Sequence, residues 1–336
     1  MRQFTFISAL FLLTITILTG CEREINTDSP FIDGLSIDNF PIIDGSTSTL
    51  PLNTVIAAEL LGLSWRWQEN RSNNQHANTW SIEPQIRGSL RRKFDNRVRS
   101  SQTHGSFMNL INKEVDMAIS VRSMSADERA HAESRGVSVI EVPIAMDAFI
   151  MIASPQNPIP NLSLTIDNIR DIFTQEITDW RYFGWRNQWE DDEAAQRPIE
   201  IQPFIRNPNS GSQELMDLLI MQGIDYKHLP IYEENFIWTM AGTMDAMARI
   251  PEAIGYSVHF FNEYIVRSGT NLRVIAIDGV LPTNRTIRDR SYSLASPVYA
   301  VIRSDTDPNS MTYKVFQWLQ TAQGKTIIER SGYVAY

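Results

Sequence analysis

A short apolar run that stops at a glycine, a row of small hydroxyl residues, and then a helix with proline in its first turn restrict this chain more than any other feature. Phe40–Asp44 reads as a buried strand, Gly45-Ser46-Thr47-Ser48-Thr49 as a turn, and Leu50-Pro51-Leu52 followed by Thr54–Leu61 as a helix. Proline near the first turn costs no hydrogen bond there and marks a helix start. The unit recurs. Val115–Ser120 reads as a strand, with His104-Gly105-Ser106 opening a helix before it. Ile199–Phe204 leads into Arg206-Asn207-Pro208-Asn209-Ser210-Gly211-Ser212 and the helix Gln213–Met221. Val137–Val142, Ala148–Ala153, Arg273–Ile277 and Val298–Ile302 are further strands. Strands alternating with helices predict an α/β architecture with mixed, mostly parallel sheets.

At 336 residues, two domains, or one domain with large insertions, are expected. Eight Trp, ten Tyr and fifteen Phe supply enough apolar surface to exclude disorder as the main state. A formal charge of −9 argues against a nucleic-acid scaffold, since a phosphate backbone demands net positive charge. Binding a small anion is a local matter and stays open. The single cysteine excludes an internal disulfide and a cysteine-based metal site. No cofactor, metal or nucleic-acid partner is expected, and a monomer is.

That cysteine has an explanation at the amino terminus. Arg2 precedes the apolar run Phe4–Leu18, which is shorter than the ~20 residues a spanning helix needs. Leu18-Thr19-Gly20-Cys21 looks like the lipobox of bacterial lipoproteins. Residues 1–20 therefore read as a signal peptide, Cys21 as the lipidation site, and 21–39 as a polar tether to a membrane-anchored body in the cell envelope, facing the periplasm or exterior. Two stretches read as insertions with solvated surfaces: basic Ser64–Gly105, which could alternatively steer an anion, and acidic Asn187–Gln196. Trp65, Trp67, Trp180 and Trp185 are expected to pack helices on sheets rather than to stack sugars.

Three helix starts carry the chemistry. A helix amino terminus presents unpaired N–H groups and about half a positive charge. Several of them converging, with Ser and Thr hydroxyls between, would hold a tetrahedral oxyanion. Arg206, four residues before Ser210, could add a two-pronged charged contact. An enzyme is not expected. Only five histidines are available as bases, no Gly-x-Ser-x-Gly elbow is present, and His104 near Ser106 reads as structural.

These features, in order and spacing, resemble the phosphate ABC-transporter substrate-binding proteins, the PstS-type members of the type II periplasmic-binding superfamily. The resemblance runs from about Pro41 to Tyr336. It is carried by Asp44-Gly45-Ser46-Thr47-Ser48-Thr49-Leu50-Pro51-Leu52, by Val115-Asp116-Met117-Ala118-Ile119-Ser120, and by Asn161-Leu162-Ser163 with Ile172-Phe173-Thr174 and Thr178-Asp179-Trp180. Arg206, Ser210-Gly211-Ser212, Ala253-Ile254-Gly255-Tyr256, Asp278-Gly279-Val280 and Ser331-Gly332-Tyr333-Val334 complete it.

The resemblance implies two α/β lobes, 40–144 plus 296–336 and 145–295, joined by two hinge strands and closing on the ligand. It implies phosphate, or a similar oxyanion, as ligand and ABC permease subunits as partners. Carried over by position, the ligand residues would be Ser48, Thr49 and the Leu50 backbone, then Ser106, then Arg206, Ser210, Gly211 and Ser212. Where several family members place an Asp or Ser against the phosphate, the alignment puts Val121; a one-residue shift would present Ser120 or Arg122 instead. Arg122 reads equally as a ligand or as a surface salt-bridge residue. Without an acceptor at this point, selection by the ligand's protonation state is lost. The alternative function on the same fold is a ligand-sensing or partner-docking lipoprotein without a transport role.

Overall fold

Ten consecutive buried residues, Ile144–Ala153, form the spine of the molecule. The computed structural model describes residues 25–70, 79–186, 197–226, 236–237, 244–245, 247–267 and 271–336. The signal sequence, Cys21 and the acidic stretch 187–196 lie outside the described residues. In chain order come β1 (Ile43–Gly45), α1 (Leu50–Leu60), β2 (Trp65–Asn70), β3 (Thr79–Pro84), α2 (Gly88–Arg97), α3 (Gln102–Ile111), β4 (Met117–Ser120), α4 (Ala126–Ser134) and β5 (Val139–Ala153). Next are β6 (Ser163–Leu164), α5 (Ile166–Phe173), β7 (Gln202–Pro203), β8 (Ile205–Arg206), α6 (Gly211–Met216), β9 (Phe236–Ile237) and β10 (Ala253–Val258). The chain closes with β11 (Arg273–Val274), β12 (Ala276–Ile277), α7 (Asn284–Arg288), β13 (Ala295–Arg303), α8 (Met311–Trp318), α9 (Ala322–Arg330) and β14 (Val334–Ala335).

The fold is a mixed α/β sheet of order β1-β4-β13-β5-β10-β7. β5 changes neighbours along its length. From Val139 to Ala148 it pairs with β13, and from Phe149 to Ala153 with β10. β13 and β10 lie on opposite edges of β5; β14, at Ala145 and Met146, joins the β10 edge, and β11, at Ile152 and Ala153, joins the β13 edge. Partners on both edges and packing on both faces explain a run of apolar residues without alternation. The pairing exchange between Ala148 and Phe149 stands beside the start of β13, where Ala295 faces Ala148. The chain thus passes between the two halves of the sheet through two adjacent strands.

Three expectations are corrected by the described residues. The sheet is mixed, but antiparallel pairings outnumber parallel ones, six to four, because every strand on β5 runs against it. The strand expected over Ile199–Phe204 shrinks to Gln202–Pro203, where the N–H groups of Gln202 and Phe204 donate to the Glu252 and Ile254 carbonyls and Pro203 needs none on the sheet's edge. The tether is shorter than 21–39. Ile32, Leu35 and Ile37 are buried, and Phe31 lies 5.4 Å from Trp318 between ring centres. Three apolar side chains spaced along a polar segment suffice to seat it.

The basic insertion is likewise no mere solvated surface. Its β2–β3 hairpin and α2 cover α1, with Ile82, Ile86, Phe94 and Val98 buried in the main core. Arg91 contacts Glu83 at 2.6 Å and Asp95 at 2.7 Å, and Lys93 contacts Asp38 at 2.7 Å. Of its basic residues, Arg91 and Lys93 are thus paired with nearby carboxylates. Trp180 is buried and donates its indole N–H to the Glu252 carbonyl, as a packing tryptophan does. Among the described residues, no helix is long and apolar enough to cross a membrane.

Candidate functional site

The first loop owes its shape to Gly45. A Cβ there would lie 2.5 Å from the Ile119 carbonyl oxygen, 2.5 Å from Thr49 Oγ1 and 2.8 Å from Asn53 Nδ2, so only glycine lets β1 lie this close to β4 and α1. Behind it Ser46 Oγ donates to Thr49 Oγ1 at 3.1 Å and stands 3.2 Å from Ser48 Oγ. The Ser48 carbonyl accepts from Tyr333 Oη at 3.0 Å, and the Tyr333 ring stacks on Phe260 at 3.8 Å. The carboxyl-terminal segment therefore fixes the loop.

Asp44 ties the second loop to the first. One carboxylate oxygen accepts from the Ser101 N–H at 2.8 Å, and the other from Asn109 Nδ2 at 2.8 Å. This sets the start of α3 at Gln102. The third loop hangs on Tyr256 and Gln213. The Arg206 N–H donates to Tyr256 Oη at 2.9 Å and to Gln213 Oε1 at 3.2 Å, while Ser210 Oγ caps α6 by accepting from the Gln213 N–H at 3.2 Å.

The three loops meet around a cavity of about 260 Å³. Ser46, Thr47 and Ser48 come from the first loop, Gln102 and Thr103 from the second, and Arg206, Ser210, Gly211 and Ser212 from the third. Thr79 of β3 and the apolar side chains of Val121, Val258, Phe261 and Ile265 complete the wall. Ser212 Oγ is buried and makes no hydrogen bond among the described residues. Burial also lowers the Arg206 guanidinium to a pKa of about 10, so it keeps its proton at neutral pH. Among the described residues no carboxylate lines the cavity. Hydroxyls, helix starts and one buried cation make a cradle for an oxyanion.

Gly211 marks where the halves press together. A Cβ on it would meet Val121 Cγ2 at 2.9 Å and Thr103 Oγ1 closer still. No methyl group fits there at this separation.

Five of the residues expected at the site line the cavity: Ser48, Arg206, Ser210, Gly211 and Ser212. Five do not. Thr49 turns its hydroxyl to the carbonyls of Ile119 and Ser46, at 2.9 and 3.1 Å, and serves the turn. Leu50 borders a neighbouring cavity. Ser106 is fully buried and donates to the Thr103 carbonyl at 2.8 Å. Ser120 is buried in β4 with its hydroxyl 3.4 Å from the Arg122 N–H.

Arg122 does not line the cavity, and it is not a surface residue. It is buried in a two-pronged ion pair with Glu128, at 2.8 and 2.9 Å, and lies over the Phe107 ring. Val121 is the one of the three alternatives that faces the cavity. His104 turns to Glu128, with Nδ1 3.0 Å from Oε1, while Ser106 points back into its own helix.

Ser46, Thr47, Thr79, Gln102 and Thr103 line the cavity as well and are not among the expected residues. Ser46 and Thr47 sit in the same hydroxyl run as Ser48. Thr103 is one helical turn before Ser106, because α3 begins at Gln102, two residues before the His104-Gly105-Ser106 start that the sequence suggests. Thr79 had no local signal; the hairpin brings it in.

A model of the PBP superfamily domain matches residues 90–323. The chain belongs to that superfamily. Among relatives of this PBP-superfamily chain, the phosphate-binding protein PstS of Staphylococcus epidermidis is 24% identical over 247 residues, covering 72% of this chain and 70% of that protein. PstS of Staphylococcus aureus is 21% identical over 239 residues, 69% and 67% of the two chains. Among solved structures, an ABC-type phosphate transport receptor from Vibrio cholerae superposes with a TM-score of 0.56 at 16% identity, covering 87% of this chain and 98% of that one. A phosphate-binding protein from Stenotrophomonas maltophilia gives 0.54 at 12% identity, over 88% and 90%. These likenesses establish the two-lobed type II fold.

Proposed function

We propose that this protein captures phosphate, or a similar tetrahedral oxyanion, between its two lobes and delivers it to an ABC importer outside the cytoplasm. One observation carries the reading: three hydroxyl-rich helix starts and a buried arginine converge from both halves of the sheet on one cavity with no carboxylate in its described wall. The names of the relatives support the same ligand. In this reading the lobes, 40–144 plus 296–336 and 145–295, move about the adjacent strands β5 and β13, so that capture and closure are a single event. The body binds rather than catalyses, and a lipid on Cys21 holds it at the membrane.

The wall at Val121 gives the site a recognisable weakness. An acceptor there would favour the protonated phosphate over the proton-free sulfate; a valine has none. Calorimetric titration of ligand-stripped protein with phosphate is expected to give micromolar affinity, about −8 kcal/mol. Sulfate is expected to bind within about tenfold of phosphate, since a decade is 1.4 kcal/mol and no acceptor supplies more. Heat with neither anion would remove oxyanion capture and leave partner docking on this fold as the better account.

A further inference from the structure

A second chamber, of about 270 Å³, lies behind Thr47 and Ile265. Both residues also line the first chamber, so the two spaces share a wall made by these side chains. The insertion builds most of the new chamber: Trp80, Ile82 and Pro84 from β3, and Phe94 from α2. Leu50 and Pro51 of α1 face them. The charges at its edge are matched to one another, Arg91 against Glu83 and Asp95. The hairpin that roofs it is held from the other half of the sheet, because the Arg267 guanidinium lies 3.9 Å from the Trp80 ring centre and 5.0 Å from that of Trp67.

The first chamber is itself two-faced. Inorganic phosphate has five heavy atoms; even at about 30 Å³ for each, the share of a separate water in the liquid and an upper limit for bonded atoms, it fills no more than a little over half of the space. The remainder is bordered by Val121, Val258, Phe261 and Ile265, none of which can donate to an anion oxygen. An oxygen turned to that wall loses its hydrogen bonds, whereas a carbon turned to it loses nothing. Ile265 continues the apolar surface into the second chamber.

We propose that the site accepts tetrahedral phosphorus oxyanions bearing one short alkyl substituent, alkylphosphonates or monoalkyl phosphates, with the anionic end in the hydroxyl cradle and the alkyl chain passing Ile265 into the second chamber. The proposal rests on the oxyanion reading above and narrows its ligand class.

The test is a calorimetric series on the purified protein with inorganic phosphate, methylphosphonate, ethylphosphonate and n-butylphosphonate. Affinity is expected to rise about threefold with each added methylene that reaches apolar surface, so that the butyl compound exceeds the methyl compound by more than tenfold. Thr54 lines only the second chamber. Thr54→Phe, which fills it, is expected to abolish the rise with chain length and to leave inorganic phosphate within about twofold. The wild-type series decides the matter even where that variant folds poorly. Affinity that is flat or falls with chain length, alongside measurable inorganic phosphate binding, overturns the proposal and leaves the oxyanion reading intact. Binding of no probe overturns both.

Discussion

In Arg206→Ala, phosphate affinity falls by two to three orders of magnitude while the fold is retained: that is the expected result. A guanidinium meeting an anion supplies charge-assisted hydrogen bonds of about 1.5–3 kcal/mol each, and a two-pronged contact supplies two. The side chain is only 6% exposed, and burial depresses its pKa to about 10. A dianion beside it would restore that pKa, so binding and the charge on Arg206 are linked. Alanine removes the cation and its desolvation cost together, and thermal stability is expected to hold or rise. Titration and melting of the same sample separate the two effects. Unchanged phosphate affinity in a folded variant would show that the anion, if bound, lies elsewhere.

The second large effect belongs to Asp147, at the exchange point of β5. Its Oδ1 accepts from the Ala148 N–H at 2.8 Å and the Phe260 N–H at 3.0 Å, while Oδ2 is buried and makes no hydrogen bond among the described residues. Desolvation raises its pKa from 3.8 to about 7. The folded state thus prefers the protonated acid, and the unfolded chain ionises first as pH rises. The neutral carboxyl's contribution to stability is whole below pH 3.8 and is lost progressively as pH rises to about 7. A shift of that size corresponds to on the order of 4 kcal/mol.

Asp147→Asn keeps an oxygen for the same two N–H groups and cannot ionise. Its amide takes the place of an Oδ2 that makes no hydrogen bond among the described residues. Denaturant melts of both proteins from pH 4 to 8 are therefore expected to diverge, the variant gaining a few kcal/mol over wild type by pH 8. Parallel curves would show that Asp147 is already ionised in the folded protein at low pH.

Much of the fold was legible because its elements are local. Strand, hydroxyl turn and helix follow one another at β1 and α1, and again at β8 and α6, without long-range information. The sequence of β5 reads as two strands, Val137–Val142 and Ala148–Ala153, because Pro143 and Asp147 interrupt the apolar pattern. Both interruptions have tertiary answers. The ladder with β13 shifts register near Pro143, and Asp147 takes an N–H from Phe260, 113 residues away.

At the site, the loop Ser210–Ser212 is legible because consecutive residues line the cavity. The α3 residues were missed by one turn, since the helix start is set by Asp44, 57 residues upstream of Ser101. Arg122 had a local clue. Ser125 and Glu128 form a capping box, and the Glu128 side chain that accepts from the Ser125 N–H at 2.9 Å also holds Arg122. A glutamate already fixed by a cap six positions on is what turns Arg122 away from the cavity.

A crystal structure of the protein with phosphate tests the central claim most directly. A tetrahedral anion is expected within hydrogen-bond distance of Arg206, of the Ser210–Ser212 loop and of Ser48 or Thr47, with both halves of the sheet contributing contacts. An anion held by one half alone, or outside the cavity bounded by Thr103 and Gly211, would contradict it.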